Sequence, residues 1–256
     1  MTSRLRVVGY NVRDLLDDRD AVAHVVRSCR PDVLCLQEAP RRPGTLWRTV
    51  RLARETGLRQ VTGGRASGGT AVLVSPRLDV LASQAARLPV AHWWTRTRGY
   101  AIAELRLGDG AEVTVVSVHL PLDVADRVDH GARVRERVAG LADRPLVVSG
   151  DLNEEPGGPS WDSFGDLCRD AVELGVDDPA VLDAPTYPAR SPHRRIDAVL
   201  VSPGVRVLAL RPAGAADGLT HADLVAASDH LPLVADLELS DPTLEDPTLK
   251  SPRAAR

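Results

Sequence analysis

The sequence of 256 residues is poor in cysteine and contains no apolar run long enough to span a membrane. A spanning helix needs ~20 consecutive apolar residues, and no stretch approaches that length. The segment 1–6 has no hydrophobic signal core, so we expect no export by that route. Cys29, Cys35 and Cys168 are odd in number and form no Cys-x-x-Cys pair, which argues against a disulfide framework and a thiolate zinc site. These absences predict a cytoplasmic protein.

Lysine is nearly absent as well. Of the 32 basic residues, only Lys250 is a lysine, and the formal net charge is −3. Proteins that coat nucleic acid without specificity carry strong positive charge, so the sequence argues against that class. It leaves open an enzyme that binds a few phosphates locally.

Apolar runs typical of strands alternate with helical patterns. Helical spacing predicts helices from Asp17 or Asp18 to about Arg30, over 45–56 and over 124–141. Strands are predicted over 5–12, 32–37, 70–74, 80–85, 101–107, 113–118, 146–149, 196–201, 205–210 and 233–239. The mixed connections indicate an α/β protein whose central sheets are covered by helices.

No linker divides the chain before residue 240, so residues 1–240 are predicted to form one domain. The segment 241–256 contains the sequence Asp-Pro-Thr-Leu twice and has no apolar periodicity. We therefore expect 241–256 to be a flexible tail.

Polar residues recur where the apolar runs end or begin. They are Asn11, Gln37, Glu38, His119, Asp151, Asn153, Asp197, Asp229 and His230. One such edge is usually a cap or a turn, but six in one chain predict a shared site, because ligands of α/β folds bind outside strand ends. The set is rich in carboxylate and amide oxygen, which suits Mg²⁺ or Mn²⁺ better than zinc.

The order Asn … Gln-Glu … His … Gly-Asp-Leu-Asn … Arg-Ile-Asp … Ser-Asp-His over about residues 5–239 resembles the endonuclease/exonuclease/phosphatase superfamily. These are Mg²⁺-dependent phosphoesterases that include the DNase I type. The resemblance implies a four-layered α/β/β/α sandwich of two mixed β-sheets, with the site at one end.

The resemblance and the chemistry of phosphate esters imply roles for the site residues. Glu38 is expected to bind the metal, assisted by Asn11 and Asp229. Asp151 is expected to orient and deprotonate the attacking water.

The remaining roles concern the phosphate. Asn153 and His119 are expected to face it, and His230 to contact the phosphate or the water while Asp197 orients the imidazole. Arg98, Tyr100 and Tyr187 are weaker candidates for substrate binding.

These residues predict a Mg²⁺-dependent phosphoester hydrolase in which Mn²⁺ could replace Mg²⁺. The predicted reaction is in-line attack of water on phosphorus, and the predicted substrate is a phosphodiester. The alternatives are a DNA endonuclease or exonuclease, supported by the arginines of 133–137 and 194–195, and a phosphatase of small molecules or lipid headgroups. A catalytically dead binding protein ranks last, because no site residue is missing. Gly9 and the segment 39–40 depart from the abasic-site nucleases and weaken that reading. No obligate protein partner is evident.

Overall fold

The computed structural model describes residues 3–42, 44, 47–90, 96–174 and 185–239, so the tail at 241–256 lies outside the described residues. Within these ranges the helices are α1 (Arg19–Cys29), α2 (Trp47–Glu55), α3 (Val124–Ala139), α4 (Pro159–Asp162) and α5 (His221–Ala227). The first strands are β1 (Ser3–Asn11), β2 (Val33–Gln37), β3 (Arg59–Gly63), β4 (Ala71–Val74), β5 (Asp79–Arg87) and β6 (Gly99–Arg106). The others are β7 (Glu112–His119), β8 (Leu146–Asp151), β9 (Arg169–Asp170), β10 (Asp197–Val201), β11 (Val205–Pro212) and β12 (Leu233–Leu239).

The strands form two six-stranded mixed sheets. The first sheet has the order β11-β12-β1-β2-β4-β3, and the second has the order β5-β6-β7-β8-β10-β9. The pairs β1–β2 and β7–β8 are parallel. A parallel pair requires a crossover, and α1 and α3 supply these two connections.

Three apolar cores separate four layers. Inward residues of both sheets, such as Val7 and Val115, form the central core. The outer face of the first sheet packs against α1, α2 and α5, and that of the second sheet packs against α3 and α4. This arrangement is the predicted sandwich. None of the helices in the described ranges is both long and apolar enough to cross a bilayer.

Strand register brings polar residues to one end of the sandwich. In the second sheet, His119 pairs with Asp151 and Asp151 pairs with Asp197, so the three lie in one row across β7, β8 and β10. In the first sheet, Asn11 pairs with Gln37, and Glu38 follows directly. The carboxyl ends of the two parallel pairs therefore meet at this edge.

Candidate active site

Asp151 lies at the centre of this edge and is only 1 % exposed. Its Oδ2 accepts a hydrogen bond from Asn11 Nδ2 at 3.0 Å, and its Oδ1 accepts one from the backbone N–H of Asn153 at 2.9 Å. Burial raises the pKa of Asp151, and the nearby charge of Asp197 raises it further. The positive charge of His230 acts in the opposite direction, and the pKa is about 6. A buried carboxylate that still ionises near neutral pH is suited to accept a proton.

His230 forms a second pair behind Asp151. Its Nδ1 donates to Asp197 Oδ2 at 2.9 Å, and its Nε2 lies 3.9 Å from Asp151 Oδ2. Burial alone would lower the pKa of His230, but the charge of Asp197 and the hydrogen bond to it outweigh burial and raise the pKa to about 9. The ring is therefore an imidazolium at neutral pH. Tyr187 stacks obliquely on it, with ring centroids 4.8 Å apart.

His119 flanks Asp151 on the other side. Its Nε2 lies 3.3 Å from Asp151 Oδ2 and 3.2 Å from Asn153 Nδ2. Burial has the largest effect on His119 and holds its pKa well below the usual value. The positive charges of Arg98 and His230 lower this pKa further. The two histidines beside Asp151 are thus in opposite charge states at neutral pH.

Asn153 adopts the left-handed backbone conformation, with φ of 53°. Its Nδ2 also donates to the carbonyl oxygen of Leu120 at 2.8 Å. In this structure the amide hydrogens are therefore directed at protein atoms. The expected contact of Asn153 with a phosphoryl oxygen stays a prediction.

Glu38 stands beside two arginines. Arg96 Nη1 lies 3.3 Å from both of its carboxylate oxygens, and Arg98 Nη1 lies 3.9 Å from Oε1. Arg98 is 6 % exposed and donates through Nε to the Leu120 carbonyl at 3.3 Å. Arg96 is not among the predicted site residues, and the only feature of the sequence that marks it is the repeated arginine in 96–98.

A turn of three left-handed residues follows β1. Arg13, Asp14 and Leu15 have φ values of 48°, 56° and 51°. Arg13 N–H donates to Asn11 Oδ1 at 3.1 Å, and Asp14 N–H donates to the Glu38 carbonyl at 2.7 Å. Left-handed backbone is unfavourable for residues other than glycine. The strained turn therefore ties the end of β1 to Glu38.

Asp229 lies at the surface of the site, with its side chain 37 % exposed and its Oδ2 3.6 Å from Arg13 Nε. The preceding Ser228 donates from Oγ to the backbone oxygen of Asn11 at 2.7 Å. This bond holds the loop before β12 against the end of β1.

The two sheets approach closely behind the site. A Cβ placed on Gly9 would lie 2.4 Å from Ser149 Oγ. Ser117 bridges the sheets as well, because it donates to the Leu36 carbonyl at 2.9 Å and accepts from Gln37 Nε2 at 3.1 Å. The close approach of Ser149 therefore leaves no room for a side chain at Gly9.

Among the described residues, one cluster of possible metal ligands lies close together. Donor atoms of Asp151, Asp197 and His230 lie within 4.8 Å of one another. However, His230 Nδ1 is bonded to Asp197 and the ring is protonated at neutral pH, and a metal ligand must be deprotonated. The predicted ligands Glu38, Asn11 and Asp229 would bind through carboxylate and amide oxygens, the ligand type that Mg²⁺ and Mn²⁺ prefer, and their role stays a prediction.

The structure does not bring Tyr100 to this cluster. Tyr100 pairs with Val118 in the register of β6 and β7, and its side chain packs against the outer core of the second sheet. The other two predicted substrate contacts lie at the site: Arg98 lies beside Glu38, and Tyr187 lies beside His230.

Comparison with known proteins shows the family and the fold of the chain. A model described as the Endonuclease/Exonuclease/phosphatase family matches residues 8–230. An endonuclease/exonuclease/phosphatase family protein from Bacteroides thetaiotaomicron superimposes with a TM-score of 0.75 at 20 % identity, over 94 % of this chain and 100 % of that chain. A search of curated proteins gives no significant match.

Two further structures share the fold. A mannosyl-6-phosphatase from Bacteroides thetaiotaomicron has a TM-score of 0.72 at 20 % identity, covering 91 % of this chain and 99 % of that chain. The catalytic domain of human nocturnin with bound sulfate has a TM-score of 0.69 at 18 % identity, covering 94 % and 97 %. These likenesses confirm the predicted DNase I-like sandwich.

Proposed function

The chain belongs to the Endonuclease/Exonuclease/phosphatase family, as its motifs indicated, and from this premise we propose that it hydrolyses phosphodiesters with the help of a bound divalent cation. The observation that carries the proposal is the arrangement around Asp151. One buried carboxylate that ionises near pH 6 lies between a neutral His119 and a charged His230. A hydrolase needs such a base beside a group that attracts the phosphate.

Asp151 acts as the general base in this proposal. Asn11 and the Asn153 backbone fix both of its oxygens, so its free lone pairs can orient a water molecule. The water oxygen forms the new bond to phosphorus while its proton passes to Asp151. The bond from phosphorus to the ester oxygen breaks, and the departing oxygen takes a proton from solvent.

The surrounding residues hold the phosphate and its charge. The imidazolium of His230, oriented by Asp197, attracts a phosphoryl oxygen, and Arg98 adds a second positive charge near Glu38. Glu38, Asn11 and Asp229 would hold Mg²⁺ or Mn²⁺. When bound, the ion supplies stabilisation of the negative charge on the phosphoryl and leaving oxygens.

A small ester is favoured over duplex DNA. DNA affinity depends on free cationic side chains that meet phosphates. Arg133 and Arg135 of α3 are paired with Asp129 and Asp166, and Arg195 is buried against Asp170. The stretches that suggested a nuclease are thus largely neutralised by neighbouring acids. A mannosyl-6-phosphatase is among the structural neighbours, which supports a small substrate.

The cysteines suggest where the protein works. Cys29, Cys35 and Cys168 are free and buried. Unpaired thiols fit a reducing compartment, and we propose the cytoplasm.

The test is hydrolysis of bis(p-nitrophenyl) phosphate, p-nitrophenyl phosphate and supercoiled plasmid with Mg²⁺. We expect turnover of the diester that is lost with EDTA and in Asp151→Asn and Glu38→Gln. Arg106→Gln, an exposed residue paired with Glu112, is the matched control and should keep full activity. Equal activity in Asp151→Asn and the parent would reject the proposal. Nicking of plasmid that is abolished by the same changes would establish the nuclease instead.

A further inference from the structure

Asn153 lies beyond the strand ladder that spaces the row at the catalytic edge. The last residue of β8 is Asp151, so the register of the second sheet does not extend to Asn153. The backbone of Asn153 is left-handed, and its N–H donates to Asp151 Oδ1 at 2.9 Å. That bond fixes one oxygen of the proposed general base. The contacts that hold Asn153 must therefore come from the loop around it.

Glu154, the next residue, is anchored at both carboxylate oxygens. Its side chain is 11 % exposed. Oε1 accepts from Arg127 Nη2 at 3.1 Å, and Oε2 accepts from the backbone N–H of Ser160 at 2.7 Å. A Cβ on Gly158 would collide with Cγ and Cδ of Glu154, so the Glu154 side chain lies directly against the backbone of Gly158. The position of Glu154 is thus closely restricted.

Arg127, in the first turn of α3, connects Glu154 with the segment that follows β7. The Arg127 side chain is 8 % exposed, and its Nη1 donates to the Leu122 carbonyl at 2.7 Å. In the same segment, the Leu120 carbonyl accepts from Asn153 Nδ2 at 2.8 Å. One guanidinium therefore holds both the residue after Asn153 and the segment that receives the Asn153 side chain.

The pair formed by Arg127 and Glu154 is ionised at neutral pH. Burial alone would raise the pKa of Glu154, but the hydrogen bonds from Ser160 and Arg127 and the charge of Arg127 outweigh burial and lower this pKa. Taking two charges out of water is costly, so a buried pair adds little net stability, whereas its directed bonds restrict geometry. The arrangement therefore suits positioning better than stabilisation.

We propose that Arg127 and Glu154 are positioning residues for the reaction: their ion pair holds Asn153 so that its N–H keeps the Asp151 carboxylate in the orientation for general-base catalysis. The inference rests on the proposed phosphodiester hydrolysis and adds two residues outside the motifs at the strand ends. Their effect on Asp151 passes through Asn153.

Glu154→Gln tests the pair with little risk to folding, because the amide oxygen can still accept from Ser160 while the charge opposite Arg127 is lost. The assay is hydrolysis of bis(p-nitrophenyl) phosphate with Mg²⁺. Small displacements of reacting groups are costly, so we expect kcat to fall about tenfold while KM stays within about twofold of the parent value. A parent-like kcat in Glu154→Gln would overturn the proposal.

Glu104→Gln is the matched control. Glu104 is paired with Arg144, and its side chain is 17 % exposed. Arg144 precedes the first residue of β8, so this pair lies at the opposite end of the sandwich from Asp151. The same substitution there should lower the melting temperature without lowering kcat. If Glu104→Gln and Glu154→Gln lost kcat equally, the effect would be general loosening and the positioning role would be overturned.

A double-mutant cycle tests whether the two residues act as one unit. Arg127→Gln should lower kcat about as much as Glu154→Gln. The double variant should lose no more than either single variant, because each single change already breaks the pair. Losses that multiply in the double variant would overturn the role of the pair.

Amide hydrogen exchange separates this proposal from the proposed function, because it requires no substrate. Exchange of the Asn153 N–H, followed by NMR, reports its bond to Asp151. In Glu154→Gln we expect Asn153 to exchange about tenfold faster, while Leu152, which donates to the Ile196 carbonyl at 2.9 Å, exchanges as in the parent. This result supports the positioning role even if no diester is cleaved. Unchanged protection of Asn153, or equal acceleration of both amides, would overturn it.

Discussion

Asn11 Nδ2 donates a hydrogen bond to Asp151 Oδ2 over 3.0 Å, and this bond connects the two sheets at the catalytic edge. Asn11 ends β1 in the first sheet, and Asp151 ends β8 in the second. Asn11 Oδ1 accepts from Arg13 N–H, so the backbone fixes which end of the amide faces Asp151. The amide thus presents a donor to a carboxylate that must stay ionised.

Replacing this donor should raise the pKa of Asp151. In Asn11→Asp a second carboxylate faces the first, and like charges at this distance disfavour ionisation of both. We expect the acid limb of the kcat/KM profile to move to higher pH and activity at pH 7 to fall about tenfold or more. Asn11→Ser, which keeps a short donor, should shift the limb less. An acid limb that is unmoved in Asn11→Asp would contradict this role.

The pH profile of the parent protein should be bell-shaped. Activity rises as Asp151 loses its proton near pH 6 and falls as His230 loses its proton near pH 9. Asp197→Asn removes the charge that raises the pKa of His230. The alkaline limb of this variant should therefore move to lower pH, while its acid limb moves little or downwards. Rates measured from pH 5 to about 10.5 at saturating Mg²⁺ test this.

The His230–Asp197 pair should also make stability depend on pH. Because the pKa of His230 is raised on folding, the stabilisation is fully present below about pH 6.5 and is lost as pH rises through about 9. We expect the pair to contribute roughly 2–3 kcal/mol to the free energy of unfolding at pH 7. The check is denaturant unfolding of the parent and Asp197→Asn at pH 7 and above pH 10. A difference between the two proteins that does not shrink at high pH would argue against a charged pair.

Arg96 should compete with the cation for Glu38. Its guanidinium contacts both carboxylate oxygens, although its side chain is 55 % exposed. Exposed pairs are weak, so Arg96→Ala should tighten Mg²⁺ binding by only about two- to fivefold. Calorimetric Mg²⁺ titration measures this directly, with Arg106→Ala as a control for loss of an exposed arginine. Weaker Mg²⁺ binding in Arg96→Ala would show that Arg96 supports the cation site.

Gly9 should tolerate no side chain beside Ser149. The Cβ of Gly9→Ala would meet Ser149 Oγ at 2.4 Å, so we expect a loss of about 1–3 kcal/mol in stability. Ser149→Gly should restore much of the loss in the double variant, because it removes the atoms that clash. Thermal unfolding of the two single variants and the double variant tests this coupling. Additive effects would show that the clash is relieved elsewhere.

The apolar runs predicted an α/β protein with helix-covered sheets and polar residues at the strand ends, and the family resemblance implied the four-layered sandwich that the structure shows. The apolar pattern missed β3, whose Arg59–Gly63 is partly exposed at a sheet edge and lacks an apolar run. It also missed α5, which has a capping box from Thr220 to Asp223 but only seven residues.

Side-chain direction was harder to predict than position. Tyr100 follows Arg98 by two residues, yet Tyr100 lies on the outer face of β6 while Arg98, just before the strand, reaches Glu38. The left-handed turn at 13–15 was not predicted from the sequence either, because none of its residues is glycine or asparagine. The turn is held by a local hydrogen bond from Arg13 N–H to Asn11 and by a bond from Asp14 N–H to the carbonyl of Glu38, which is distant from the turn in sequence.

The row formed by His119, Asp151 and Asp197 limits where insertions and deletions can be tolerated during evolution. These residues are spaced by the ladder of β7, β8 and β10, and no connecting loop sets the distances between them. Insertions in the connection at 202–204 can therefore accumulate without displacing the row, whereas Leu120 of the connection after β7 is bonded to Asp151 and Asn153. A one-residue insertion inside β8 would instead turn the following side chains to the opposite face. Lineages descended from this chain should gain and lose residues in loops while their strands keep a constant length.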